Sequence, residues 1–185
     1  SISSVKGMEY LFSGCRSLKS IDISNFVTSS VTNMNGMFKN CINLTTLDLS
    51  NFDTSLVTTM DSMLLGCNEL RELNISSFNT ELVKEMANMF KDCFLLSSFN
   101  LEHFNTQSVI DLSNMFDNCR SLISLDLSNF HTPHLKRLGS MFYNCSSLEY
   151  VNINSFSTAD VLYMDRIFFG CHSLTSLNIS NFVTP

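Results

Sequence analysis

The chain has 185 residues and a net charge of −6, with 15% charged and 44% hydrophobic side chains. That length allows one or two domains, and so mild an acidity gives no long-range attraction to a phosphate backbone, which disfavours nucleic-acid binding. No apolar run approaches the roughly 18 residues of a transmembrane helix, and no charged segment leads into an apolar core as in a signal peptide, so no membrane contact by this segment is expected.

A 26-residue unit recurs from end to end. Cys15, Cys41, Cys67, Cys93, Cys119, Cys145 and Cys171 are spaced by 26 without insertion or deletion, and the columns Leu18 to Leu174, Phe26 to Phe182 and Thr28 to Thr184 hold in all seven copies. A unit of that size must bury its apolar face on the next copy, so one solenoid domain over 1–185 is expected.

Taken in order, each unit reads as a helix and a strand. The first helix falls at about 3–13 and the first strand at about 20–24, with strand copies at 46–50, 72–76, 98–102, 124–128, 150–154 and 176–180. Val31, Met34, Met37, Phe38 and Cys41 form a one-faced helical stripe, whereas Leu47 and Leu49 alternate with Thr46, Asp48 and Ser50 as in a half-buried strand. Thr at the head of each stripe suits an N-cap, and Pro133 and Pro185 directly after it suit the first helical position. The residue before each Cys is Gly, Asn or Asp, the types that tolerate the left-handed conformation ending a helix, which places Cys two residues past the helix with an apolar contact back onto it. Helices wider than strands would bend the stack, giving a concave parallel sheet and convex helices, with right-handed crossovers. The fold class expected is therefore α/β, a right-handed solenoid of seven strand-helix units.

The core Leu18-x-x-Ile21-x-Ile23 has the spacing of a leucine-rich repeat. The fuller pattern, Val-Thr-x-Met-x-x-Met-Phe-x-x-Cys followed by Leu-x-x-Leu-x-Leu-Ser-Asn-Phe-x-Thr, resembles the 26-residue repeat of the BspA-like leucine-rich-repeat proteins of bacterial surfaces, over essentially the whole chain. The resemblance implies surface display or secretion and adhesion to host or matrix proteins. The chain opens partway through a unit and stops where a further helix would begin, and neither end departs from the repeat as a solenoid cap does, so a longer parent array is expected.

Little in the repeat points to chemistry. The ten methionines occupy two columns shared with Leu and Ile, which marks them as core. One thiol per unit, in odd number and without Cys-x-x-Cys, predicts buried free cysteines and neither disulfides nor zinc. His131 and His134 lack a third ligand nearby, and no nucleophile elbow, phosphate-cradling loop or His-Glu-x-x-His occurs, so no enzyme activity, cofactor or metal is expected. Sequons at Asn43, Asn74, Asn144 and Asn178 read as accidents of a Ser/Asn-rich repeat.

What remains is the exposed strand face. Asp22, Asp48 and Asp126 alternate with Asn in one column, and interspersed Asn relieves the like-charge repulsion. Departures from the repeat, Arg71, Glu72, Glu102, His103, Glu149 and Tyr150, are the candidates for recognition. The expectation is a monomeric, non-enzymatic module that takes a protein or glycan ligand on the concave face. The alternatives are a cytoplasmic interaction scaffold using the same face and a spacer projecting another domain.

Overall fold

The computed structural model describes residues 4–183; the start of the first expected helix at residue 3, the last threonine of its column at 184 and Pro185 lie outside them. The array is a stack of 26-residue coils, each with a strand layer on one side and a turn layer on the other. The strand layer holds β1 (Thr46–Asp48), β2 (Glu72–Asn74), β3 (Ser124–Asp126) and β4 (Tyr150–Asn152). β1 pairs with β2 in parallel with Leu47 opposite Leu73, and β3 with β4 with Leu125 opposite Val151. Leu47, Leu125 and Val151 point inward while their flanking residues face outward, the alternation the sequence carries.

Among the described residues the expected seven-stranded sheet is instead two pairs. The fourth unit separates them, and its sequence supplies the reason. Phe99 stands where the other units carry Ile21, Leu47, Leu73, Leu125, Val151 and Leu177. Its ring seats edge-on against Phe90, 4.8 Å away at 61°, and Phe116, 5.1 Å away at 75°. A ring of that size in a leucine place holds the backbone around Ser98 out of the ladder, and a gap of about 100 Å³ opens between Leu73 to Ser76 and Ser98 to Asn100. The expected strands at 20–24 and 176–180 are also outside any ladder; in the first of these coils Thr45 N–H donates to Lys19 O at 3.0 Å.

The helices are the main correction: among the described residues there are none. The stripe from Val31 to Leu44 is a run of tight turns, closed by Met37 N–H to Met34 O, Lys39 to Gly36, Cys41 to Phe38 and Leu44 to Cys41, at 3.0–3.3 Å. Intervening amides cross to the next coil: Met34 N–H donates to Thr59 O, Gly36 to Asp61, Phe38 to Met63 and Asn40 to Leu65, at 2.7–3.2 Å. Two left-handed residues per unit enforce this path. Gly14, Asn40, Gly66, Asp92, Asn118, Asn144 and Gly170 adopt that conformation before each Cys, and so do Tyr10, Gly36, Ser62, Asn88, Asn114, Ser140 and Arg166 four residues earlier. An α-helix cannot carry a left-handed residue in its interior, whereas a succession of turns returns apolar residues inward at three- and four-residue steps and so imitates a helical stripe. Parallel bridges from Gly7 to Asn33 and on through Thr59, Glu85, Asp111 and Arg137 to Tyr163 tie the turn layer coil to coil. Main-chain bonds thus tie coil to coil in the turn layer as well as within the two strand pairs.

The columns acquire different roles in consequence. The Thr column caps no helix: Thr80 Oγ1 is buried, donates to Asn105 O at 2.8 Å and accepts from Asn105 N–H at 2.8 Å, and Thr28, Thr54 and Thr158 bridge to the following coil in the same way. We expect Thr80→Ala to cost about 2–3 kcal/mol in urea unfolding because it removes two bonds and strands buried main-chain groups, while Thr80→Ser stays within about 1 kcal/mol. Equal losses for the two variants would discount the hydroxyl.

Each Cys closes a turn through its amide, and from Cys41 onward it donates its thiol to the preceding coil: Cys41 to Phe12 O at 3.1 Å, Cys93 to Leu64 O at 3.4 Å and Cys145 to Phe116 O at 3.0 Å. The same carbonyls accept the amide three residues on, so each carbonyl uses both lone pairs. The inner Cys, Phe and Leu columns are buried as expected. Cys15 is exposed and Cys171, Leu18 and Leu174 only half-buried, because burial in a stack comes from the neighbouring coil.

Candidate functional site

The strand face begins with the Asp/Asn column, whose side chains turn back on their own backbone. Asp22 Oδ1 accepts from Ser24 N–H at 3.0 Å, Asp48 from Ser50 at 2.9 Å and Asp126 from Ser128 at 2.9 Å; Asn74, Asn152 and Asn178 repeat the bond. The column therefore ends each strand with an Asx turn, an option open to Asp and Asn because their short side chains reach the amide two residues on. The Ser24 and Ser50 amides, and then their hydroxyls, hold the carboxyls of Asp22 and Asp48 below the usual carboxylate range. All three aspartates are exposed.

A second polar column, not singled out in the sequence, fastens one coil to the last. Asn51 Nδ2 donates to Ile23 O and Ser24 O, Asn129 Nδ2 to Leu101 O and Phe104 O, and Ser77 Oγ to Leu49 O and Phe52 O. His103 belongs to this column: its Nε2 lies 2.9 Å from Ile75 O, and a carbonyl only accepts, so Nε2 carries the proton. Its ring also meets Phe104 edge-on at 5.2 Å. The recurrent Asn before Phe was the signal available for this ladder.

The remaining candidates are exposed, and the structure gathers only some of them. Asp48, Arg71 and Glu72 share a groove of about 470 Å³ over β1 and β2, floored by Leu47, Leu73 and Leu96. Arg71 reaches Glu69 at 3.6 Å with 61% of its side chain exposed, a loose pair that leaves the guanidinium available. Asp22 lies one coil before this groove. Tyr150 is half exposed beside a separate groove of about 190 Å³ formed with Asn152, Asn154, Ser176 and Leu177. Glu149 flanks it, its N–H donating to Ile123 O at 2.8 Å, and Asp126 stands opposite Asn152 in the same sheet. Glu102 lies in the fourth unit, at the break between the two sheets, with its N–H on Asn100 Oδ1 at 3.4 Å. No group of three or more His, Cys, Asp or Glu among the described residues could hold a metal ion.

Residues 1–99, 40–149 and 95–185 match the family described as Mycoplasma protein of unknown function, DUF285, and the three matches together span the chain. Among solved structures, a T. pallidum leucine-rich repeat protein, TpLRR, is similar with a TM-score of 0.43 and 16% identity, covering 92% of this chain and 72% of that one. A leucine-rich repeat protein from Bacteroides ovatus is similar with a TM-score of 0.26 and 16% identity, covering 94% and 70%. No curated protein matches.

Proposed function

We infer that this chain, which belongs to the DUF285 family of Mycoplasma proteins of unknown function, is a non-enzymatic, monomeric module that binds another macromolecule across its strand face. The observation that carries the reading is the groove over β1 and β2, where Asp48, Arg71 and Glu72 converge above an apolar floor. A basic fork with loose pairing and, three coils on, an aromatic with a polar tip are the side-chain types that dominate protein interfaces. Arg71 and Tyr150 stand about 14 Å apart along the stack at about 4.8 Å per coil, a span that suits a protein or glycan chain lying across several coils. The BspA-like repeat pattern supports adhesion at a cell surface as the setting, and a cytoplasmic scaffold is the alternative setting for the same face.

The test is capture of the isolated array by immobilised extracellular-matrix proteins and glycans, followed by Arg71→Ala and Tyr150→Ala against whichever ligand retains it. Each substitution is expected to weaken binding by more than about 1 kcal/mol with the thermal midpoint nearly unchanged, since both side chains face solvent. If both variants bind as the parent does, the strand face is the wrong surface. If nothing retains the parent, a spacer role is the better account.

A further inference from the structure

The turn layer carries a groove of its own, on the other side of the coils from Asp48, Arg71 and Glu72. It has a volume of about 370 Å³ and crosses three coils, with Ser113 and Asn114 on one, Arg137 and Gly139 on the next, and Tyr163 and Asp165 on the third. Main-chain bonds fix these walls: Asn114 N–H to Gly139 O at 3.0 Å, Leu138 N–H to Tyr163 O at 2.8 Å and Ser140 N–H to Asp165 O at 2.8 Å.

Gly139 opens the groove. Other units place Glu9, Asn35, Asp61, Ala87, Ser113 and Asp165 in this column, and Gly139 has no left-handed backbone to require a glycine. A Cβ there would lie 3.0 Å from Asp165 Oδ1, so even a methyl group would crowd the far wall. Arg137 Nη1 reaches back to Asp111 Oδ2 at 3.5 Å while its side chain stays 53% exposed. In the same column one coil on, Tyr163 is 58% exposed.

The lining chemistry selects among ligand classes. Its one arginine is loosely paired with Asp111, as Arg71 is with Glu69, and Asp165 offsets its charge within the lining, so the groove has no net positive charge to select an anionic ligand while the guanidinium still has N–H groups to donate. Donors and acceptors alternate: a guanidinium, a carboxylate, the Asn114 amide and the Ser113 hydroxyl. Beside them lies an exposed aromatic face, whose negative quadrupole attracts the weakly positive hydrogens of a C–H surface. The geometry points to a site for a neutral sugar, its C–H face on Tyr163 and its hydroxyls on Arg137, Asp165 and Asn114. The size falls near the lower end of the roughly 300–1,000 Å³ of small-ligand sites, and the openness of the groove suits one or two sugar residues held weakly.

The experiment uses the whole 185-residue chain, isotope-labelled, titrated with the methyl glycosides of glucose, galactose and N-acetylglucosamine at millimolar concentration and, separately, with sodium sulfate. Saturable amide shifts confined to 111–114, 137–140 and 163–166 are expected with at least one glycoside. Tyr163→Ala should weaken that binding at least about tenfold, and Gly139→Val should block it with the rest of the spectrum intact. Arg71→Ala should leave it unchanged, so this proposal and the strand-face reading can fail separately. No shift in those segments with any glycoside, shifts that survive Tyr163→Ala, or a response to sulfate alone would each overturn the site.

Discussion

Replacing Phe116 by Ala is expected to cost about 3–5 kcal/mol, enough to unfold the central coils of a marginally stable array. Phe116 has no exposed surface and stacks between Phe90 at 5.6 Å and Phe142 at 5.5 Å, with the edge of Phe99 5.1 Å away. The substitution thus leaves a cavity at two coil interfaces and removes the ring that seats Phe99 at the break in the sheet. The repeat contains its own control, because Leu64 fills this column in the third unit and is equally buried. Phe116→Leu should therefore cost only about 1–2 kcal/mol, and Phe12→Ala, in an end coil with a half-buried ring, less than Phe116→Ala. Equilibrium urea unfolding measures all three. A loss below about 1 kcal/mol for Phe116→Ala would mean that the stacked rings contribute little to holding the coils together.

Alkylation should divide the seven cysteines by position in the stack. Burial pushes the thiols of Cys41 and Cys171 up to about 11, and raises Cys67, Cys93, Cys119 and Cys145 as well. The thiolate is the nucleophile, so at pH 8 a thiol titrating at about 11 holds about a hundredfold less of it than one of ordinary value near 9. The sign is that of a buried acid: raising pH restores reactivity, and the restoration is displaced upward by the shift. Cys41, Cys67, Cys93, Cys119 and Cys145 have in addition no exposed surface, so reagent reaches them through opening of the coils, at rates at least about a thousandfold below a free thiol for a domain of ordinary stability. Exposed Cys15 should react first, Cys171 later and the inner five last. Denatured protein, alkylated without reductant, should carry an adduct on all seven. Fewer than six would place disulfides in the array, and fast native labelling of Cys93 or Cys119 would contradict the burial of that column.

The period and the inward columns were legible in the sequence, because a gapless repeat constrains each unit to the same place in space and apolar residues identify the side that neighbours must cover. Cys93, Phe116 and Leu125 could be placed inside on that ground alone. The left-handed conformation before each Cys was legible too, since Gly, Asn and Asp share that tolerance. Helix against turns was not, because apolar returns at three- and four-residue steps serve both. The deciding signal was the second left-handed column, where Tyr10 and Arg166 stand beside Gly36, Asn88 and Asn114 and conceal it. Tertiary structure settled the matter through coil-to-coil main-chain bonds, which turns can make in alternate residues and a helix, bonded within itself, cannot. The same holds for the polar columns. Their residue types showed that they were hydrogen-bonding positions, but whether Thr80 capped its own segment or bridged to Asn105 depended on how closely the next coil lies, whereas the bond from the Ser50 amide to Asp48 is local to one turn. The break at Phe99 shows the limit most plainly: one ring among six aliphatic equivalents looks conservative in sequence, and only the packed neighbours, Phe90 and Phe116, turn its size into a displaced strand.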